Sequence, residues 1–179
     1  MRRPTAAVSI DADFFTLPDE QLLLAPLLAW LHGHVASGRP VVLRDDHADL
    51  VATLPHPVEV IVNFDFHMDL TIEFLLGAPA APVADAAVFE SLLAEGRTER
   101  YVWAHPVQRR ATAARVYASA LLADRQPLLS AIHCLPGPEA LDLLAELDVV
   151  WAFVCRSPGY ATPDTEAAFS ACADSLCRA

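Results

Sequence analysis

Asp65, His67 and Asp69 stand at i, i+2 and i+4 in the segment Val60-Ile61-Val62-Asn63-Phe64-Asp65-Phe66-His67-Met68-Asp69, directly after an apolar run. Alternate residues of an extended segment share a face, so the three side chains can turn into one pocket. Asp11 and Asp13 repeat the i, i+2 spacing after a second apolar run, in Ser9-Ile10-Asp11-Ala12-Asp13-Phe14-Phe15. His47 closes a third, Val41-Val42-Leu43-Arg44-Asp45-Asp46-His47. Carboxylates this close to buried strands are costly to bury without partners, and a cation removes that cost. Carboxylate and imidazole donors together suit Mn²⁺, Zn²⁺ or Fe²⁺. Four carboxylates and two imidazoles exceed one ordinary site. They suit two ions roughly 3.5–4 Å apart that share a bridging carboxylate.

Each piece also has a plainer reading. An Asp after a strand commonly caps the next helix. Asp45 and Asp46 read as a turn or solvated loop, and a lone His47 or His67 as a satisfied polar residue. D-x-H-x-D after a buried strand is moderately specific, whereas D-x-D alone is weak. Their joint occurrence with His47 favours a binuclear site.

These motifs carry a resemblance. Asp65-Phe66-His67-Met68-Asp69 resembles the D-x-H-x-D motif of the arginase (ureohydrolase) and deacetylase-like fold. Ser9-Ile10-Asp11-Ala12-Asp13 resembles its S-x-D-x-D motif, and Asp46-His47 its D-H motif. The resemblance implies two Mn²⁺ ions, with Zn²⁺ or Fe²⁺ as alternatives. It implies His47, Asp65, Asp69 and Asp11 around one ion and Asp65, His67, Asp11 and Asp13 around the other, with Asp65 and Asp11 bridging. Arginases carry S-x-D-x-D near the end of the catalytic domain, whereas here it comes first in a much shorter chain. The motif order is that of a circularly rearranged fold, which surface termini tolerate. The short length and the segment Val154-Cys155-Arg156-Ser157-Pro158-Gly159-Tyr160 are similar to the peptide arginases. These convert arginine residues of ribosomal peptides to ornithine during maturation. The resemblance thus implies a hydrolase that releases urea from an arginine-containing precursor peptide. Where arginases place a substrate-binding Glu after the last strand, this chain has Cys155 or Arg156.

Further candidates surround this set. His105, at a strand end before Pro106, could donate a proton to a leaving amine beside Asp65; a structural turn residue is the equal alternative. Asp46 could orient His47 or contact a substrate cation. Glu73, one helical turn beyond Asp69, could face the same pocket or lie exposed. His133 reads as structural, and His32, His34 and His56 as surface residues. Arg109 and Arg110 read as a solvated face that an acidic peptide could use. No G-x-G-x-x-G, P-loop or G-x-S-x-G is present, so nucleotide binding and serine hydrolysis lack support. Two other functions stay open: amide hydrolysis or deacetylation on one zinc with an oxyanion-stabilising Tyr, and a non-catalytic metal- or peptide-binding module.

The elements that must position these residues follow from the apolar runs. Strand-like segments are Ala6–Ile10, Pro40–Leu43, Val58–Asn63, Tyr101–Ala104, Leu128–Cys134 and Val149–Cys155. Helical composition covers Glu20–Val35, Asp85–Glu95, Thr112–Ala123, Pro138–Leu147 and Thr165–Cys177, and Gly77–Val83 reads as a surface loop. Alternating strands and helices predict a single three-layer α/β/α domain over residues 1–179 with a mainly parallel sheet, and the resemblance implies that this domain is compact and arginase/deacetylase-like. The 179 residues include 23 acidic side chains against 12 basic ones, all Arg, giving a net charge of −11. That balance excludes nucleic acid as a partner and favours a cationic one. The apolar run Leu22–Leu31 is too short to span a bilayer and follows acidic residues, so it is neither a signal peptide nor an anchor. Four cysteines without C-x-x-C spacing read as reduced thiols of a cytoplasmic protein. Homo-oligomerisation is left open.

Overall fold

A computed structural model describes residues 2–70, 88–111, 113 and 130–177. The strands are β1 (Thr5–Asp11), β2 (Val41–Arg44), β3 (Val58–Phe64), β4 (Thr98–His105), β5 (Ile132–Pro136) and β6 (Asp148–Cys155). They form one sheet in the order β2-β6-β1-β3-β4-β5, and every pairing is parallel. Parallel neighbours require crossovers, and the crossovers cover both faces. The helices are α1 (Pro18–Gln21), α2 (Leu24–Ala36), α3 (Asp49–Thr53), α4 (Val88–Ala94), α5 (Gly137–Leu143) and α6 (Pro163–Cys177).

Side-chain alternation along the strands divides the core in two. Ala7, Ile61, Tyr101, Trp103 and Phe153 pack on one face with Leu50 of α3 and Phe89 and Leu92 of α4. Val8, Ile10, Val62, Phe64 and Val154 pack on the other with Leu27 and Leu31 of α2, Ala140 of α5 and Ala168 of α6. The expected layers are present, a parallel sheet between two helical ones.

Several boundaries differ from the sequence reading. Glu20–Val35 is not one helix: α1 ends at Gln21, and α2 begins at Leu24 with Pro26 in its first turn, where no intrahelical N–H is needed. The fifth strand begins at Ile132, because Tyr101 of β4 has its partner there, while Ser130 and Ala131 are helical. The Pro138–Leu147 helix ends as α5 at Leu143 and tightens into a 3₁₀ turn, Leu144–Glu146. Gly77–Val83, and Thr112–Ala123 apart from Ala113, lie outside the described residues. His34 is buried rather than at the surface. The end of α2 folds back on the chain entering β2, so Trp30 stacks on His34 at 5.1 Å and Nε2 lies 3.3 Å from the Pro40 carbonyl. Cys155 and Cys172 are buried thiols outside any disulfide. Among the described residues, no helix is long and apolar enough to cross a membrane.

The connectivity fixes where a ligand can sit. From β1 the chain leaves toward β2, on one side of the sheet, and from β3 toward β4, on the other. Between neighbours whose crossovers diverge, the carboxyl ends open into a crevice, the usual ligand site of such sheets. Just past β1, the 3₁₀ turn Ala12–Thr16 buries Phe14 edge-on against Phe64 of β3 at 5.8 Å. Gly137 at the start of α5 allows this: a Cβ there would lie 2.9 Å from the tip of Phe14. Phe14→Ala is expected to cost ~3–5 kcal/mol of stability, measured by urea unfolding. A loss under ~1 kcal/mol would show that this ring does not anchor the turn.

Candidate metal centre

Register brings the two acidic segments level. Ile10 pairs with Phe64, so Asp11 and Asp65, each one residue further on, emerge side by side from β1 and β3. Asp11 accepts the Asp13 N–H at 3.0 Å and so caps the 3₁₀ turn. The cap and ligand readings of this residue are compatible. The turn swings Asp13 toward β3, where Oδ1 accepts the Phe66 N–H at 3.2 Å and Oδ2 lies 3.0 Å from His67 Nδ1.

Asp65, His67 and Asp69 converge, but not by strand alternation. β3 ends at Phe64, and Asp65 Oδ1 accepts the His67 N–H at 2.7 Å, bending the chain at once. Trp103 Nε1 holds the Asp65 carbonyl at 2.9 Å, and the Tyr101 hydroxyl holds the Met68 carbonyl at 2.7 Å. Asp69 follows with φ at +50°, in the left-handed region that Asp tolerates better than most residues. Such conformations persist where surrounding bonds enforce them, commonly at functional sites.

His47 enters from the β2–α3 loop. Asp46 is exposed and accepts the Ala48 N–H at 2.8 Å, making the turn that presents its neighbour. The His47 ring stacks over Phe153 at 5.8 Å, edge-on to Phe89. Its Nε2 lies 2.8 Å from the Ser9 hydroxyl. Its Nδ1 lies 2.7 Å from Asp69 Oδ2 and 3.3 Å from Oδ2 of both Asp11 and Asp65. Despite these distances, Nδ1 is buried without a hydrogen bond of acceptable angle. The tautomer that donates from Nε2 to Ser9 leaves the Nδ1 lone pair facing three carboxylate oxygens. A cation among the four atoms would be coordinated by that lone pair; without one, the carboxylates favour a proton on the ring.

Six residues thus gather as two overlapping groups. Ligand atoms of Asp11, His47 and Asp65 lie within 4.8 Å of one another, as do those of Asp13, Asp65 and His67. Asp65 alone is common to both; Asp11 falls in the first only, and Asp69 joins through His47 Nδ1. The four carboxylates are 1–4% exposed, and among the described residues no arginine pairs with any of them. The donor set fits a borderline divalent cation.

Electrostatics show the same shortage of positive charge. Burial, then the Asp69 and Asp11 carboxylates, push the Asp65 carboxyl up to about 8. Burial and the Asp11 and Asp65 charges raise Asp13 well above the carboxylate range, and burial raises Asp69. Burial opposes protonation of His47, yet Asp69, Asp11 and Asp65 carry its pKa well upward.

Other sequence candidates fall around this centre. His105 ends β4, buried, with Nδ1 2.8 Å from the Pro106 carbonyl and its ring against Trp103, and among the described residues it hydrogen-bonds to none of the six. Burial lowers its pKa. Glu73 lies outside the described residues. Arg156 is held by a bidentate pair with Glu166 of α6 at 2.9–3.0 Å, and Cys155 is buried at the end of β6. Arg109 is not solvated: its guanidinium lies over the Phe66 ring at 5.3 Å. Tyr160 packs on His67 with ring centroids 4.6 Å apart.

Three positioning side chains had no role assigned from sequence. Ser9 meets His47, Ser157 donates to Asp11 Oδ2, and Asn63 Nδ2 donates to Asp65 Oδ2 at 3.0 Å and to the Tyr101 hydroxyl at 3.2 Å. Ser9 and Asn63 carried a usable signal: each is a polar residue in an apolar strand, two before a ligand Asp and on its face. Comparison of the chain with family models, curated proteins and solved structures finds no match.

The shifted carboxyls predict a pH dependence for the metal-free protein. A carboxyl whose folded pKa lies above its unfolded value stabilises fully below the unfolded value, about 4, and loses that contribution as pH rises through the folded one. For Asp65 the loss centres on about 8. His34 and His105, lowered by burial, are already neutral there and do not oppose it. Chelator-treated protein should therefore lose Tm between about pH 7 and 9, and Mn²⁺ should restore more at the upper end. A metal-free Tm that rises across this window would contradict the charge balance.

Proposed function

We propose that the chain is a binuclear metal hydrolase that converts arginine side chains of a ribosomally made peptide to ornithine, with release of urea. The observation that carries this reading is the carboxylate of Asp65 shared between two buried Asp/His groups. The adjacency of β1, bearing S-x-D-x-D, and β3, bearing D-x-H-x-D, supports an arginase-like arrangement in rearranged chain order. Asp11, His47, Asp65 and Asp69 would hold one Mn²⁺, and Asp13, Asp65 and His67 the other, with Zn²⁺ or Fe²⁺ less favoured. Bound there, the two ions supply Lewis-acid polarisation and a nucleophilic water at neutral pH.

The side chains define the rest of the chemistry. Ser9 and Asn63 fix the ligand atoms of His47 and Asp65, so little reorganisation is needed on metal binding. Cleavage of the guanidinium C–N bond requires a proton on the departing side-chain nitrogen. With Nδ1 engaged by the Pro106 carbonyl, Nε2 of His105 is the atom that could exchange one. Asp46, exposed beside His47, could contact the substrate cation, and the net charge of −11 draws cations to the surface. A second reading, amide hydrolysis on a single zinc with an oxyanion-stabilising Tyr, draws on Tyr160, whose ring lies against His67 with centroids 4.6 Å apart.

The test is metal analysis joined to mass spectrometry of an arginine-containing peptide with the Mn²⁺-loaded protein. Two metals per chain, loss of one CH₂N₂ unit per converted arginine and free urea are expected, with free arginine a poor substrate. Asp65→Ala should abolish metal loading and turnover together. His105→Ala should keep the metals and lower the rate roughly 10²–10⁴-fold. Faster turnover of free arginine than of any peptide would replace this reading with an ordinary ureohydrolase. One zinc per chain with amide cleavage would replace it with the second reading.

A further inference from the structure

Ser157 lies two residues past the end of β6, and three of its properties converge. Its hydroxyl donates to Asp11 Oδ2, the oxygen that also faces His47 Nδ1. Its N–H donates to the Asp45 carbonyl at 3.0 Å, two residues before His47. Its backbone lies at φ +48°, ψ 66°, in the left-handed region, immediately before Pro158. That conformation suits glycine and is disfavoured for serine, and a following proline restricts it further. A strained residue persists where its surroundings over-determine it, and such positions cluster at functional sites. Glycine would adopt the backbone freely. What it would lose is the hydroxyl.

We infer that Ser157 is a positioning residue for the metal centre, fixing the Asp11 carboxylate in its ligating orientation and tying it to the loop that carries His47. The Asp13 N–H holds Asp11 Oδ1, and the Ser157 hydroxyl holds Oδ2, so the carboxylate cannot rotate about its Cβ–Cγ bond. Cys155 Sγ packs 3.3 Å from the same hydroxyl and, buried, limits where it can point. Arg156 clamps the connection from outside by pairing with Glu166 of α6 and, at 3.7 Å, with Asp45. The strain at Ser157 is therefore borne by packing and ion pairs, while its hydroxyl serves the ligand. Outer partners of this kind commonly govern metal affinity.

This inference rests on the metal reading above, and the experiment separates the two. Mn²⁺ binding to chelator-treated wild type, Ser157→Gly and Ser157→Ala is measured by titration calorimetry, and each metal-free protein is unfolded thermally. Both variants should bind Mn²⁺ roughly 10–100-fold more weakly than wild type. Metal-free Ser157→Gly should unfold at a higher temperature than metal-free Ser157→Ala, because both lose the hydroxyl and only glycine relieves the backbone strain. For a merely structural serine, affinity would follow stability and recover in Ser157→Gly relative to Ser157→Ala. Wild-type affinity in both variants overturns the inference, as does Mn²⁺ affinity that recovers with stability in Ser157→Gly. A wild-type chain that binds no Mn²⁺ overturns the metal reading itself, and this inference with it.

Discussion

Asp11, Asp13, Asp65 and Asp69 bring four carboxylates into a space from which water is excluded, with two imidazoles as their nearest partners. Like charges at such separations in a low-dielectric setting cannot all stay ionised unaided. Much of the local architecture answers that constraint. Backbone N–H groups of Asp13, Phe66 and His67 are aimed at carboxylate oxygens, as are the side chains of Asn63 and Ser157. Each donor offsets part of the desolvation cost, and none supplies a full positive charge. The aromatic wall of Phe89, Phe153 and Trp103 keeps water out and so makes the shortage acute. A cation bound in such a site would couple its binding to the stability of the fold.

The sheet was largely legible in the sequence, because parallel strands buried on both faces read as short continuous apolar runs. All six strands lie near those runs, and all six candidate ligand residues cluster at the carboxyl edge. The route to convergence was less legible. Asp65, His67 and Asp69 meet because hydrogen bonds bend the chain after Phe64, which no two-residue alternation describes. His34 and Arg109 were misread for a shared reason. Each is buried by partners that local pattern does not identify, Trp30 and Pro40 for one and Phe66 for the other. Ser157 lies 146 residues from Asp11, and nothing in its neighbourhood marks the contact.

The two hydrogen-bonding styles at the centre divide the work between local and distant chain. Asx-type bonds at Asp11, Asp46 and Asp65 are made within two residues and shape each ligand-bearing turn independently of the rest. Contacts of Ser9 with His47, Asp13 with Phe66 and His67, and Ser157 with Asp11 form only when separate strands have met. The first kind sets the shape of each piece, and the second sets their mutual orientation, to which metal affinity is sensitive.

Strand β2 hydrogen-bonds to β6 and not to β1, so the loop bearing His47 is docked to the sheet through a partner more than a hundred positions downstream. The candidate ligand residues are all present in the chain by position 69, yet the segment that seats one of them is 148–155. A nascent chain emerging residue by residue would hold a loose acidic cluster until residues 148–155 had been made, and could complete the cage only then. Long loops must close before that cage can form, which places it among the late, slow events of folding. Seating of the His47 loop would then report that β6 has slotted between β2 and β1.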